Sequence, residues 1–413
     1  METSRPHPAA DRSTHPARDP APDLDSPPEP LAADLASRWL LDPAITFLNH
    51  GSFGAVPRDV FDAHTALRLE IERHPVECID RQRHERLLAA RSAVGAFIGA
   101  RPEDLGFVTN ATGGVNAVLR SLALAPGDEL LTTTHVYNAV RQTMRHIADV
   151  HGAGYREVHV PLPVRSADEI VDAIMNAVTE RTRLLVVDQV TSATALVLPV
   201  ERIVRACAER EVDVLVDGAH GPGMVEVDLR RLGCAYYTAN LHKWVCAPKG
   251  AAILWVRPDR QAAVHPNTIS HFYETGFAAE FEWQGTRDLA TWLTVPAAID
   301  FMGALGWDRV RAHNHAMVTW AQRMICARWG TEPASPPDGS LLGSMVTLAA
   351  PKGLERFATS PEVLRALYHR HHVEAPVVDW DGRRWLRVSA QVYNTPGQYE
   401  HFADAVLDLA RHG

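Results

Sequence analysis

A chain of 413 residues with 46% apolar and 22% charged side chains has the composition of a globular enzyme, with length enough for a large core and two domains. Its net charge of −9 argues against nucleic acid, whose phosphates require clustered Lys and Arg. No apolar run reaches membrane-span length, no signal-like core follows Met1, and five scattered cysteines suit reduced thiols in the cytoplasm better than a disulfide framework.

Residues 1 to 30 hold eight prolines and few large apolar side chains, which predicts a disordered tail. A short helix is expected from about Leu31 to Leu41, then a brief strand at Ile45 running into a Gly-rich loop through Gly51 and Gly54. Periodicity predicts helices over Asp59 to Arg73 and Ile79 to Phe97, broken at Pro75. Leu105 to Thr109 reads as a strand, followed by Asn110-Ala111-Thr112-Gly113-Gly114 and a helix from Val115. Strand, small-residue turn and helix point free N–H groups at a phosphate. The spacing is neither that of a dinucleotide fingerprint nor that of a Walker loop.

From there strands and helices alternate. Strands are expected at Glu129 to Thr134, Tyr155 to Val160, Arg183 to Val187, Val212 to Val216, Ala235 to Ala239 and Ala251 to Val256. Between the first four of these come helices over Val140 to His151, from Ser166 (a capping box with Glu169) and over Pro199 to Arg210. Near-unbroken apolar strands alternating with helices indicate an α/β domain with a mostly parallel, seven-stranded sheet buried on both faces. A looser aromatic region, His265 to Trp283, precedes one long helix from Leu289 through Gly303. Helices at Arg309 to Trp329, Pro361 to His369 and Pro396 to Arg411, with strands at Ser344 to Leu348, Val373 to Val378 and Trp385 to Val388, make a smaller C-terminal α+β domain. The expected division is a tail over 1–30, a large domain over 31–300 and a small one over 301–413.

Chemistry concentrates between Leu215 and Trp255. One strand ends in Asp217-Gly218-Ala219-His220 and the next in Asn240-Leu241-His242-Lys243-Trp244. A carboxylate and a lysine at neighbouring strand ends share the mouth of an open sheet, where such folds bind ligands. Pyridoxal phosphate needs that pair: an amine for its aldehyde and a carboxylate for its pyridinium nitrogen. A desolvated lysine has a lowered pKa and becomes the required nucleophile. Arg387, amid apolar strand residues, is a candidate grip for a substrate carboxylate, against the alternative of an internal salt bridge. The His369-Arg370-His371-His372 run ends a helix without other ligand-spaced donors, so no metal site is expected.

Together Leu48-Asn49-His50-Gly51-Ser52-Phe53-Gly54, Asn110-Ala111-Thr112, Asp217-Gly218-Ala219-His220, His242-Lys243-Trp244, Gly285-Thr286-Arg287-Asp288 and Leu386-Arg387-Val388-Ser389 carry a resemblance. The chain resembles class-V, fold-type I pyridoxal-phosphate enzymes, and within them the isopenicillin N epimerase-like branch, from about Leu40 to the C-terminus. That resemblance implies that Lys243 binds the aldehyde, Asp217 the ring nitrogen, and His220 lies near the ring oxygen. Thr112, Gly113, Asn240 and His242 would hold the phosphate, and Thr286 would reach the phosphate of a neighbouring subunit, implying a homodimer. Tyr137, or else His135, would stack on the ring. Asn49, His50, Ser192 and Arg387 would face the substrate.

Three departures bear on the reaction. The last cysteine is Cys326, where desulfurases of this class need a mobile one in the C-terminal domain. Asp188-Gln189-Val190-Thr191-Ser192 stands where they carry Ser-His-Val-Ser-Asn, and Leu241 precedes His242 where the branch has a small residue. The implied activity is at Cα of an amino acid or cysteine conjugate in specialised metabolism. β-Elimination of a thiol is favoured; epimerisation and decarboxylation-coupled deamination are the alternatives.

Overall fold

A computed structural model describes residues 26–32 and 34–412, so the expected tail lies, up to residue 25, outside the described residues. Twelve strands are described: β1 (Thr46–Phe47), β2 (Leu105–Val108), β3 (Glu129–Thr133), β4 (Gly154–Val158), β5 (Thr182–Asp188), β6 (Asp213–Asp217), β7 (Tyr236–Asn240), β8 (Ala252–Val256), β9 (Met345–Ala349), β10 (Val373–Glu374), β11 (Val377–Trp380) and β12 (Arg383–Ser389). Seven form one sheet in the order β2-β8-β7-β6-β5-β3-β4, in which only β8 runs against its neighbours. The fold is α/β of fold type I, as the motifs imply. Every residue of β3, β7 and β8 is buried, because helices cover both faces of a sheet built by crossovers.

In-register pairing sets Asp188 beside Asp217, and Asp217 beside Thr238. The C-terminal ends of β5, β6 and β7 therefore deliver their last side chains to one mouth, where the strand order changes direction.

A second antiparallel sheet, β11-β12-β9, carries its own apolar core with helices Trp307–Trp329 and Pro396–His412. The N-terminal strand belongs to this layer: β1 pairs with β10, and Leu48 is fully buried in the second core.

Several expectations differ in detail. The helix expected from Leu31 is a single 3₁₀ turn, Leu35–Arg38. The helix expected from Val115 begins at Ala111, because the Asn110 side chain accepts the Gly113 N–H at 2.8 Å and caps it. Gly114 is then a packing residue, since a Cβ there would sit 2.1 Å from the Thr238 hydroxyl. The helix expected over Leu289 to Gly303 is two, Ala290–Leu293 and Val295–Ala304, split beside Pro296, which has no N–H to continue the ladder. The strand expected over Val373 to Val378 is likewise broken before Pro376, and its halves pair with different partners. Within the Gly-rich loop, His50–Phe53 form one helical turn.

Candidate active site

Lys243 lies on the turn after β7 and lines a cavity of about 370 Å³ at the sheet mouth. That volume is within the roughly 300–1,000 Å³ usual for small-molecule sites. Burial, followed by the nearby Arg387 cation, lowers the Lys243 pKa from 10.5 to about 7, against the opposing pull of Asp217 and Asp188. Its amine is 3.0 Å from His220 Nε2. Asp217 is 3% exposed and accepts the Ala219 N–H at 2.9 Å.

Asp188 shares the same cavity and the same burial, and its Oδ2 has no hydrogen-bond partner. Burial pushes both carboxyls above the ordinary range, Asp188 further because Asp217 stands beside it. A carboxyl pair with an unsatisfied oxygen and a partly compensated lysine is matched to a ligand that brings its own cationic N–H.

At the other end the cavity meets the N-terminus of helix Ala111–Arg120. The Ala111 N–H is taken by Asn240 Oδ1 at 2.8 Å and the Gly113 N–H by Asn110, leaving the Thr112 N–H and hydroxyl at the cavity for an anion. Asn240 thus fixes the helix to β7 and keeps its amide N–H₂ as a donor. His242 also lines the cavity, with Nδ1 directed to the Ala251 carbonyl at 3.1 Å; burial lowers its pKa to about 4. These groups fit pyridoxal phosphate at both its ring and its phosphate.

The structure separates the two ring-stacking candidates. Tyr137 lines the cofactor cavity. His135 does not: it is 2% exposed, stacks on Trp380 at 4.5 Å, and is held by Thr194 and the Val160 carbonyl, each at 2.7 Å. Both border a neighbouring pocket of about 470 Å³, which shares Ser52, Tyr137 and Ser192 with the first and is also lined by Arg387.

Arg387 is 4% exposed. Its guanidinium donates to the Ser192 carbonyl, to Ser52 Oγ at 3.1 Å and to Asn49 Oδ1 at 3.5 Å, and Nε finds no partner. Among the described residues it pairs with no carboxylate, so the internal salt bridge weighed above is not its role. Burial lowers its pKa to about 10.

His50 is brought to the site but not into the cavity. Its Nε2 bonds the Lys243 carbonyl at 3.0 Å and its Nδ1 the Tyr393 hydroxyl at 2.9 Å, so it supports the lysine turn from beneath. Gly54, which ends the His50–Phe53 turn, packs against the Lys243 turn with φ of 69°, and a Cβ there would stand 2.0 Å from the His242 carbonyl oxygen. Thr286 is exposed and lines neither pocket. Asp188, quoted at first only as a departure, carried the same signal as Asp217: a carboxylate ending an otherwise apolar strand. Ser52 gave no signal of its own, because its contact to Arg387 spans 335 positions.

This is the site plan of a fold-type I pyridoxal-phosphate enzyme. The chain belongs to the class-V aminotransferase family, whose model matches residues 72–400. It is 36% identical over 397 residues to isopenicillin N epimerase of Amycolatopsis lactamdurans, with 92% of this chain and 98% of that one covered. It is 32% identical over 403 residues to a probable chloroplastic L-cysteine desulfhydrase of Arabidopsis thaliana, covering 90% and 84%. Its fold is shared by a variant of C-DES with glycine covalently linked to its PLP cofactor, at TM-score 0.74 and 20% identity over 88% of this chain and 96% of that one. The family is pyridoxal-phosphate-dependent, and its members similar to this chain include lyases and epimerases. Among the described residues no helix is long and apolar enough to cross a membrane.

Proposed function

We propose that this enzyme cleaves the Cβ–S bond of an L-cysteine S-conjugate, with Lys243 as the base. The observation that carries the reading is Arg387: a buried guanidinium without a carboxylate, set at the junction of the cofactor cavity and the second pocket. An α-carboxylate gripped there, with help from Ser52, Ser192 and Asn49, brings Cα towards Lys243 and leaves the larger pocket for the β-substituent. That second pocket is far roomier than free cysteine needs, which favours a conjugate.

Pyridoxal phosphate bound in the cavity supplies an aldehyde for the substrate amine and a ring that accepts negative charge from Cα. Asp217 would hold the ring nitrogen, Tyr137 would cover a ring face, and Thr112, Asn240 and His242 would form the phosphate end; Gly113, whose N–H is taken by Asn110, would not take part. Thr286 of the partner subunit would complete that end in a homodimer.

Lys243, with a pKa of about 7, is poised to take the Cα proton near neutral pH. The electron pair so released expels the β-sulfur as a thiolate, and the proton held at Nζ passes to that sulfur. The remaining enamine hydrolyses to ammonia and a 2-oxo acid, so no oxidant is consumed. Cys326 is 5% exposed in the second core and cannot serve as a persulfide carrier.

Epimerisation is the second reading, favoured by the 36% identity to isopenicillin N epimerase. It requires proton return on the opposite face, where Tyr137 is the ionisable group at hand. Incubation with L-cysteine S-conjugates and simple L-amino acids in deuterium oxide decides between them. Thiol and ammonia in equal amounts support elimination. Deuterium at Cα with inverted product and no thiol replaces it by epimerisation, and CO₂ release refutes both in favour of decarboxylation.

A further inference from the structure

His220 sits between two partners of fixed chemistry. The Trp244 indole N–H is 3.2 Å from His220 Nδ1, and Lys243 Nζ is 3.0 Å from His220 Nε2. An indole N–H donates and cannot accept, so Nδ1 carries no proton and the single ring proton resides on Nε2. That N–H points at the Lys243 amine. An ammonium has donors and no lone pair, so it would meet the imidazole N–H head on, whereas a neutral amine accepts from it. We propose that Trp244 acts through His220 as a one-way donor relay that holds Lys243 in its neutral, nucleophilic form. Trp244 is thereby a positioning residue of the site.

The surroundings reinforce the relay. Trp244 and His220 are each 1% exposed, so water does not replace the bond between them. The indole is held in turn against the His50 ring at 4.9 Å. Burial first, and then Lys243, Arg387, His242 and His50, each a cation when protonated, oppose a second proton on the imidazole. Asp217 and Asp188 face Lys243 and favour the ammonium. The relay acts against them, in the same direction as burial and Arg387.

The inference rests on Lys243 being the amine that receives the cofactor, but its first test does not. In full-length protein labelled with ¹⁵N-histidine and stripped of cofactor, His220, assigned by the loss of its signals in His220→Leu, should show Nε2–H and an accepting Nδ1 throughout the neutral range. An imidazolium or an Nδ1–H tautomer overturns the relay. Trp244→Phe keeps an aromatic ring and removes the donor, freeing His220 to carry its proton on Nδ1 and accept from an ammonium at Nε2. The pH midpoint for capture of pyridoxal phosphate by the apo-chain should then rise by about one pH unit, making capture about tenfold slower below the midpoint. In the His220→Leu background the same substitution should leave the midpoint unmoved. An unshifted midpoint in the single variant, or an equal shift in the double one, overturns the proposal. Should Trp244→Phe fail to fold, the tautomer measurement alone decides. Failure of the unmodified chain to capture the cofactor would refute the proposed function and leave the relay standing.

Discussion

Replacing Arg387 with methionine should make the protein more stable and a far poorer enzyme. The guanidinium is 4% exposed and burial lowers its pKa from 12.5 to about 10, which corresponds to about 3 kcal/mol of unfavourable burial of the charged form. A base with a depressed folded pKa destabilises the fold at every pH below that value, so removing it relieves the fold across the whole working range. Against this stand the lost bonds to Ser192, Ser52 and Asn49. Ser52 and Asn49 still bond each other, so the loss amounts to about 1–2 kcal/mol. The net gain, about 1 kcal/mol, should move the urea midpoint of the apo-chain upward with an unchanged slope. The anchor proposed for the substrate carboxylate disappears at the same time, which should cost kcat/KM about 10²- to 10³-fold, expressed largely in KM. A variant clearly less stable than the parent, or one with kcat/KM within about threefold of it, would refute the assignment of Arg387 as an unpaired substrate grip.

Other substitutions probe the remaining walls. Lys243→Ala should abolish both turnover and the yellow colour of the loaded enzyme; survival of either removes Lys243 from its role. Gly54→Ala combines a left-handed φ of 69° with a 2.0 Å clash against the His242 carbonyl. It should displace the Lys243 turn and lower kcat by about 10²-fold, read alongside a thermal melt that shows the chain folded. Asn240→Ala uncaps the Ala111 N–H, worth about 1 kcal/mol, and should weaken pyridoxal-phosphate binding by about five- to tenfold in a fluorescence titration. Turnover that needs neutral Lys243 should be present above about pH 7 and fall as pH drops through that value. Because the folded pKa is depressed, the unfolded chain binds more protons between about 7 and 10.5, so apo-chain stability should rise with pH across that window.

The sequence was most legible where residues act through their own segment. The parallel sheet followed from apolar runs, and Asp217, His220 and Lys243 were found from strand ends that the sheet register brings together. The two helix and strand breaks were written in Pro296 and Pro376, but periodicity outweighed them, since each proline sits within an otherwise continuous pattern. Contacts that join distant segments were not legible. Nothing local announces that His50 lies under the Lys243 carbonyl, that His135 is pinned beneath Trp380, or that Asn240 caps a helix 129 positions earlier. Such roles depend on which hydrogen-bond partner the fold supplies, and that choice is made by tertiary packing.

The pairing of β1 with β10 also fixes the order in which the catalytic pocket can be assembled on the ribosome. Asn49 bonds Glu374, 325 positions away, and the Ser389 N–H donates to the Leu48 carbonyl at 2.8 Å. The segment bearing Asn49, Ser52 and Phe53 is among the first parts translated, yet its partners emerge only near the end of synthesis. At about 5–20 residues per second that delay is on the order of tens of seconds. The seven-stranded sheet, complete by Val256, meanwhile has all of its own strands. The Asn49 segment already meets the Lys243 turn through His50 and Gly54, whereas Arg387 and the strand that carries it complete the second pocket only when the chain is nearly finished.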